Sequence, residues 1–188
     1  TLSISTSICS FIAQMLAMIS LPFFLQNTLG HSEVMTGLLL TPWPIATLIT
    51  APTAGYLVER IHPGILGSIG MVIFAAGLFS LSMLTPESSD ISIIWRLVVC
   101  GMGFGLFQTP NNSTIISSAP TNRSGGASGM LGMARLLGQT FGTTLVALLF
   151  SFVVQSKSTS VCLLVGGGFA LVAAVISGLR ISQPSTIK

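Results

Sequence analysis

The sequence predicts an all-α membrane protein of six transmembrane helices, and three observations carry that reading. Of 188 residues, 51% are hydrophobic and only 6% charged, with a mean hydropathy of +0.89; a soluble domain usually carries about 25% charged residues. The apolar residues gather in six runs, each close to the roughly 20 residues that a helix needs to cross a bilayer. Most of the seven basic and four acidic residues fall at or between the ends of those runs. A net charge of +3 resting on so few groups gives no basis for a nucleic-acid partner, so the basic residues are read as topology signals.

The runs lie at about 4–25, 34–58, 64–84, 91–116, 125–150 and 161–179, in one domain over 1–188. The first is rich in Ser and Thr early, carries Gln14 in its middle and has Pro22 near its end, where proline loosens a last turn. After a polar connection at 26–33, the second run contains Pro42, Pro44 and Pro52. Membrane helices tolerate proline where neighbours satisfy the freed carbonyls, so a kinked helix is expected. Glu59, Arg60, His62 and Pro63 form a tight charged turn into the third run, which is apolar almost throughout and ends at the TPESSD turn of 85–90. The fourth opens with Trp95 and Arg96 placed as interface anchors and is expected to break at Thr109-Pro110. A polar loop with Pro120 and Arg123, a polar linker at 151–160 with Lys157, and a basic tail from Arg180 to Lys188 complete the chain. It opens at Thr1 with no basic region ahead of the first apolar run, which argues against a signal peptide and suggests a piece of a longer sequence.

Charge orients the runs. One side receives Arg60, Arg123, Arg180 and Lys188; the other receives Glu33, Glu87, Asp90 and Lys157, with Arg96 close to it. The positive-inside rule makes the first side, with both ends of the chain, cytoplasmic.

The fifth run holds Arg135, the one charge deep inside an apolar run. At helical spacing Ser128, Gly132, Gln139, Gly142 and Thr143 share its face, while Met130, Met133, Leu137, Phe141 and Leu148 fall largely on the other. A guanidinium at mid-membrane costs roughly 2.5–3.5 kcal/mol on insertion scales, so it should face a protein interior or a wet cavity. Arg135 with Gln139 then either lines a pathway, meeting a coupling carboxylate or a substrate, or ties structurally to carbonyls or to an acid on another helix. No Asp or Glu lies at membrane depth, so a partner carboxylate must come from elsewhere. Gly101, Gly105, Gln108 and Asn112 form a second polar stripe and Gln14 is a third candidate; buried amides serve as interhelical glue or as cavity lining. The GxxxG pairs Gly101/Gly105, Gly125/Gly129 and Gly138/Gly142 predict close helix contacts.

No catalytic constellation is complete in the sequence. Gly126-Ala127-Ser128-Gly129 and Trp95-Arg96 resemble motifs of rhomboid-type intramembrane serine proteases. A serine nucleophile needs a base, yet His31 and His62 both precede Ser128 and sit in loops. The sequence has no P-loop, zincin motif or paired-carboxylate site. Cys9, Cys100 and Cys162 lie in apolar runs without metal-ligand spacing and are read as buried free thiols. No enzyme activity, metal or cofactor is expected.

The turn after the second run reads Gly55-Tyr56-Leu57-Val58-Glu59-Arg60-Ile61-His62-Pro63-Gly64. This resembles the major facilitator superfamily's signature loop, G-x-L-x-D-R-x-G-R-K, in the weakened copy found in second halves. Gly55, Leu57 and Arg60 match and Glu59 stands for Asp, whereas His62, Pro63 and Gly64 replace the family's Gly and basic pair. The stretches 21–30, 41–57, 101–115 and 126–145 are similar to the fourteen-helix drug:proton antiporters, nearest to exporters of quaternary ammonium and viologen-like cations. The resemblance implies the C-terminal six-helix half of a bacterial inner-membrane multidrug exporter, built as inverted repeats and working by alternating access. It implies the lipid bilayer, a small-molecule drug, protons and the N-terminal half of the same transporter as partners. Arg135, Gln139, Gln14, Gln108 and Asn112 would face the central cavity or helix contacts beside it, and Gly55, Glu59, Arg60 and Arg123 would form a cytoplasmic gate. The alternatives are a facilitator-type carrier of another small solute and a non-transporting membrane fragment or scaffold.

Overall fold

The computed structural model describes residues 2–117 and 124–180. Among these it is all-α: α1 (Leu2–Asn27), α2 (Glu33–Leu40), α3 (Pro42–Val58), α4 (Pro63–Ser82), α5 (Asp90–Ser117), α6 (Ser124–Phe152) and α7 (Gln155–Leu179). Helices α2 and α3 form one crossing, so six helices are long and apolar enough to span a membrane.

The ends follow local chemistry. Gly30, at φ 71°, turns the chain after α1 in the left-handed region that glycine enters without steric cost. Ser32 then caps α2, its hydroxyl accepting from Met35 N at 3.3 Å. The expected kink in the second run is a break at Thr41, with Pro42 starting α3, where its missing N–H costs nothing. His62 Nδ1 accepts from Gly64 N at 3.1 Å to cap α4, again with proline in the first turn.

Two expectations are corrected. Helix α5 does not break at Thr109-Pro110 but runs through it to Ser117. It is held between α3 and α4, and Thr109 Oγ1 donates to Ala51 O across the α3 contact at 3.4 Å. Nor is 151–160 a linker: α6 continues to Phe152 and α7 begins at Gln155. The hydroxyls that made this stretch look polar are absorbed by backbone, Ser158 onto Val154 O and Thr159 onto Ser20 O of α1, both at 3.1 Å.

In packing order the helices run α6, α1, α7, α4, α5, α3, with weaker contacts from α5 to α1 and to α6. An edge-on aromatic chain joins four of them: Phe11 of α1 to Phe104 of α5 (5.9 Å between centroids), Phe104 to Phe74 of α4 (5.6 Å), and Phe74 to Trp43 of α3 (5.5 Å). Small residues let the backbones meet. A Cβ on Gly70 would lie 2.7 Å from Phe107 N, and one on Gly138 would lie 2.7 Å from Ile8 O. Gly101/Gly105 pack on α3 and Gly138/Gly142 on α1 as GxxxG pairs should, but Gly125/Gly129 meet nothing among the described residues. The helices at the two ends of the order are the most open. Only 28% of the apolar stretch of α2–α3 and 22% of that of α6 is buried, against 44–56% in the other four.

Candidate functional site

Arg135 sits about 16 Å along α6, at 1.5 Å per residue from Ser124, and is exposed. Its neighbour Ala134 is buried against the bundle, whereas Arg135 lies at the margin of the α1 contact with its guanidinium 5.7 Å from the centroid of Phe11. A cation over a ring face gains about 0.5–1 kcal/mol at an exposed site, too little to neutralise the charge. One turn on, Gln139 is half-buried and lines a shallow cavity of about 310 Å³ with Leu136, Thr140, Thr143 and Thr144. The hydroxyls of Thr143 and Thr144 donate back to Gln139 O and Thr140 O, leaving oxygen lone pairs toward the opening. Met130, Met133, Leu137, Phe141 and Leu148 form the exposed apolar face beside it.

Gln14 is half-buried on α1, and Gln108 and Asn112 are half-buried on α5. The structure brings Arg135 and Gln139 onto one surface, but among the described residues it makes no hydrogen bond between the side chains of these five. At the end of α3, Glu59 and Arg60 are exposed and do not pair; Arg60 stacks on Tyr56 at 4.8 Å. Gly55 approaches Thr109 of α5 in ordinary contact. Arg123 lies outside the described residues. Trp95 is exposed as an interface anchor should be, with Arg96 stacked on it at 5.3 Å, but Nε and Nη1 of Arg96 are buried without a partner among the described residues.

The polar network that joins α7, α5 and α1 was not foreseen. Arg180, the C-cap of α7, is buried and donates from Nη1 to Asn111 Oδ1 at 2.9 Å. Asn111 Nδ2 donates to Ser7 Oγ at 2.7 Å, and Ser7 donates to Ser3 O at 3.0 Å. Three helices are thereby joined by one directed chain. Burial pulls the Arg180 guanidinium below its ordinary pKa, but arginine does not deprotonate in proteins, so the charge remains. The sequence signal was the Asn111-Asn112 pair: neighbours on a helix point about 100° apart, so one of the two faces the α1 side and the other turns away. At the opposite end Phe23, Phe24 and Asn27 of α1, Phe150 of α6 and Thr159 of α7 line a cavity of about 470 Å³. His31 Nε2 and Asp90 Oδ1 lie within hydrogen-bond distance at that end, 3.0 Å apart.

The profile described as Major Facilitator Superfamily matches residues 3–186. The sequence is 62% identical over 184 residues to the uncharacterized transporter YebQ of Escherichia coli (strain K12), covering 98% of this chain and 40% of that protein. It is 34% identical over 119 residues to the multidrug resistance protein Stp of Mycobacterium tuberculosis (63% of this chain, 22% of that one). It is 29% identical over 149 residues to the riboflavin transporter RibZ of Clostridioides difficile (strain 630), covering 79% and 32% respectively. The chain thus spans less than half the length of each of these relatives.

Proposed function

Because this chain belongs to the Major Facilitator Superfamily, we propose that it is the C-terminal half of a fourteen-helix drug:proton antiporter. In this reading residues 1–188 are one six-helix domain of a multi-pass protein of the bacterial inner membrane, with both ends of the segment cytoplasmic. Inward proton flow drives a lipophilic, cationic compound outward by alternating access, with the site at mid-bilayer between the two halves.

The observation that carries the reading is Arg135: a charged side chain at mid-depth of a membrane helix, exposed and without a carboxylate, on a helix whose polar face its own bundle leaves open. Intramembrane charges face cavities or partners. The missing partner is then a carboxylate of the first half, which Arg135 holds until it is protonated; the same positive charge repels a cation from the resting pocket. Gln139, Gln14, Gln108 and Asn112 line or flank that cavity. Glu59 and Arg60, with Gly55 at the α3–α5 contact and Arg123, form the cytoplasmic gate. The name of the relative Stp, a multidrug resistance protein, supports a drug substrate.

The test is accumulation of ethidium or a viologen in pump-deficient cells expressing the intact gene, with and without a protonophore. Lowered accumulation that the protonophore restores, beyond its effect on empty-vector cells, is the expected result. A carrier of another small solute is the second reading, favoured by the relative named as a riboflavin transporter. Unchanged dye accumulation together with uptake of labelled riboflavin would move the assignment there.

A further inference from the structure

We propose that the end of the bundle around Arg180, Asn111 and Ser7 binds an anionic phosphate group, supplied by the headgroup of a membrane phospholipid. The inference rests on the six helices spanning a membrane and is independent of the transported substrate.

Arg180 is 7% exposed, and its one side-chain partner among the described residues, the Asn111 amide, is neutral. A buried charge needs a counter-charge. The sequence contains four carboxylates: Glu33, Glu87 and Asp90 stand at the other end of the bundle, while Glu59 stands at this end, exposed and unpaired with any described residue. Residues 118–123 and 181–188 contain no Asp or Glu, so those stretches supply no acidic side chain. The carbonyl ends of α5 and α7 offset part of the charge, but the amino ends of α1 and α4 lie at the same end and oppose them. An anion from outside this chain completes the balance.

Position selects the source. The exposed face of α7 is an apolar band, Leu164, Leu171, Val172, Val175 and Leu179, that stops one residue before Arg180. Its membrane-spanning stretch of 23 residues is about 34 Å long, close to the roughly 30 Å hydrocarbon core, which brings Arg180 to headgroup level. Helix α7 packs chiefly on α1 and α4 and only lightly on α6, while α3 and α6 are the helices whose apolar stretches this bundle covers least. The same end also carries Arg60, and basic pockets between helices at such a boundary hold anionic headgroups.

The experiment uses the purified full-length protein in nanodiscs of phosphatidylethanolamine, with and without phosphatidylglycerol, reading unfolding temperature and the lipid retained in native mass spectrometry. The wild type should retain phosphatidylglycerol and unfold at a higher temperature with it. Arg180→Gln should lose both effects. Because that variant risks misfolding, Asn111→Asp is the second arm: it sets a carboxylate on the guanidinium, so the protein should be stable without phosphatidylglycerol and no longer retain it. The proposal is overturned if the wild type ignores phosphatidylglycerol, as it would were a carboxylate elsewhere in the full-length protein the counter-charge. It is equally overturned if Asn111→Asp retains the lipid as the wild type does. An equal rise with inorganic phosphate in phosphatidylethanolamine discs would assign the site to the free ion and remove the lipid.

Discussion

A guanidinium half-way along a membrane helix keeps its charge, which is costly unless water or a counter-charge reaches it, and the Phe11 ring contact supplies neither. If Arg135 holds a first-half carboxylate, Arg135→Gln removes a charge-assisted contact worth about 1.5–3 kcal/mol, roughly a ten- to hundredfold loss of coupled transport. The measurement is protonophore-sensitive dye efflux at matched membrane levels of protein. Efflux equal to wild type would strip Arg135 of its coupling role. Arg135→Lys should recover part of it, because lysine keeps the charge but loses the planar fork. Glu59 sits at the other extreme. It is exposed, and surface pairs contribute about 0–1 kcal/mol, so Glu59→Gln should shift the balance of inward- and outward-open states by no more than about fivefold. Cysteine-accessibility labelling from either side reads that balance, and an unmoved ratio would take Glu59 out of the gate.

Among the elements, the glycine contacts divide into two kinds. Gly103 meets the backbone of α4 at Phe74 and Gly70, so Gly103→Val has no flexible neighbour to displace and should cost about 1–3 kcal/mol by overpacking. Loss of thermal stability in detergent checks it, and a neutral substitution would mean that α4 and α5 slide apart cheaply. Gly129 is open, so Gly129→Leu should leave this six-helix bundle unaffected yet weaken the intact protein if the first half docks on α6. The same contrast explains what was legible in the sequence. The six crossings could be read because hydropathy alone requires them, and the proline cluster marked the Thr41 break because Pro42 also suits a helix start. Pro110 misled because its tolerance depends on packing from α3 and α4, which no local pattern encodes. Arg135 stood out as a lone charge in an apolar run. Arg180 did not, because at a helix end a cation reads as a topology signal until Asn111 and Ser7 are seen around it.

At the scale of the whole molecule, the distribution of open surface predicts how function divides. Helices α1, α4, α5 and α7 bury 44–56% of their apolar stretches within this bundle, whereas α2–α3 and α6 bury 28% and 22%. A bundle that faced lipid all round would have no reason to put Arg135, Gln139, Thr140 and Thr143 on one of its two least covered helices. Those groups need an aqueous or protein neighbour, and this chain spans only 40% of the relative it matches at 62% identity. Expressed alone, the six-helix segment should therefore enter the membrane and leave dye accumulation at the empty-vector level. Co-expressed with the remainder of the full-length protein as a separate chain, it should co-purify with that remainder and restore part of the efflux. Arg135→Gln in the segment should then abolish the restored activity without abolishing co-purification, since a polar neutral side chain keeps the surface but not the charge. Efflux by the segment alone would contradict a cavity shared between halves. Co-purification without any efflux, from a split that leaves every helix intact, would mean that the loop joining the halves takes part in transport.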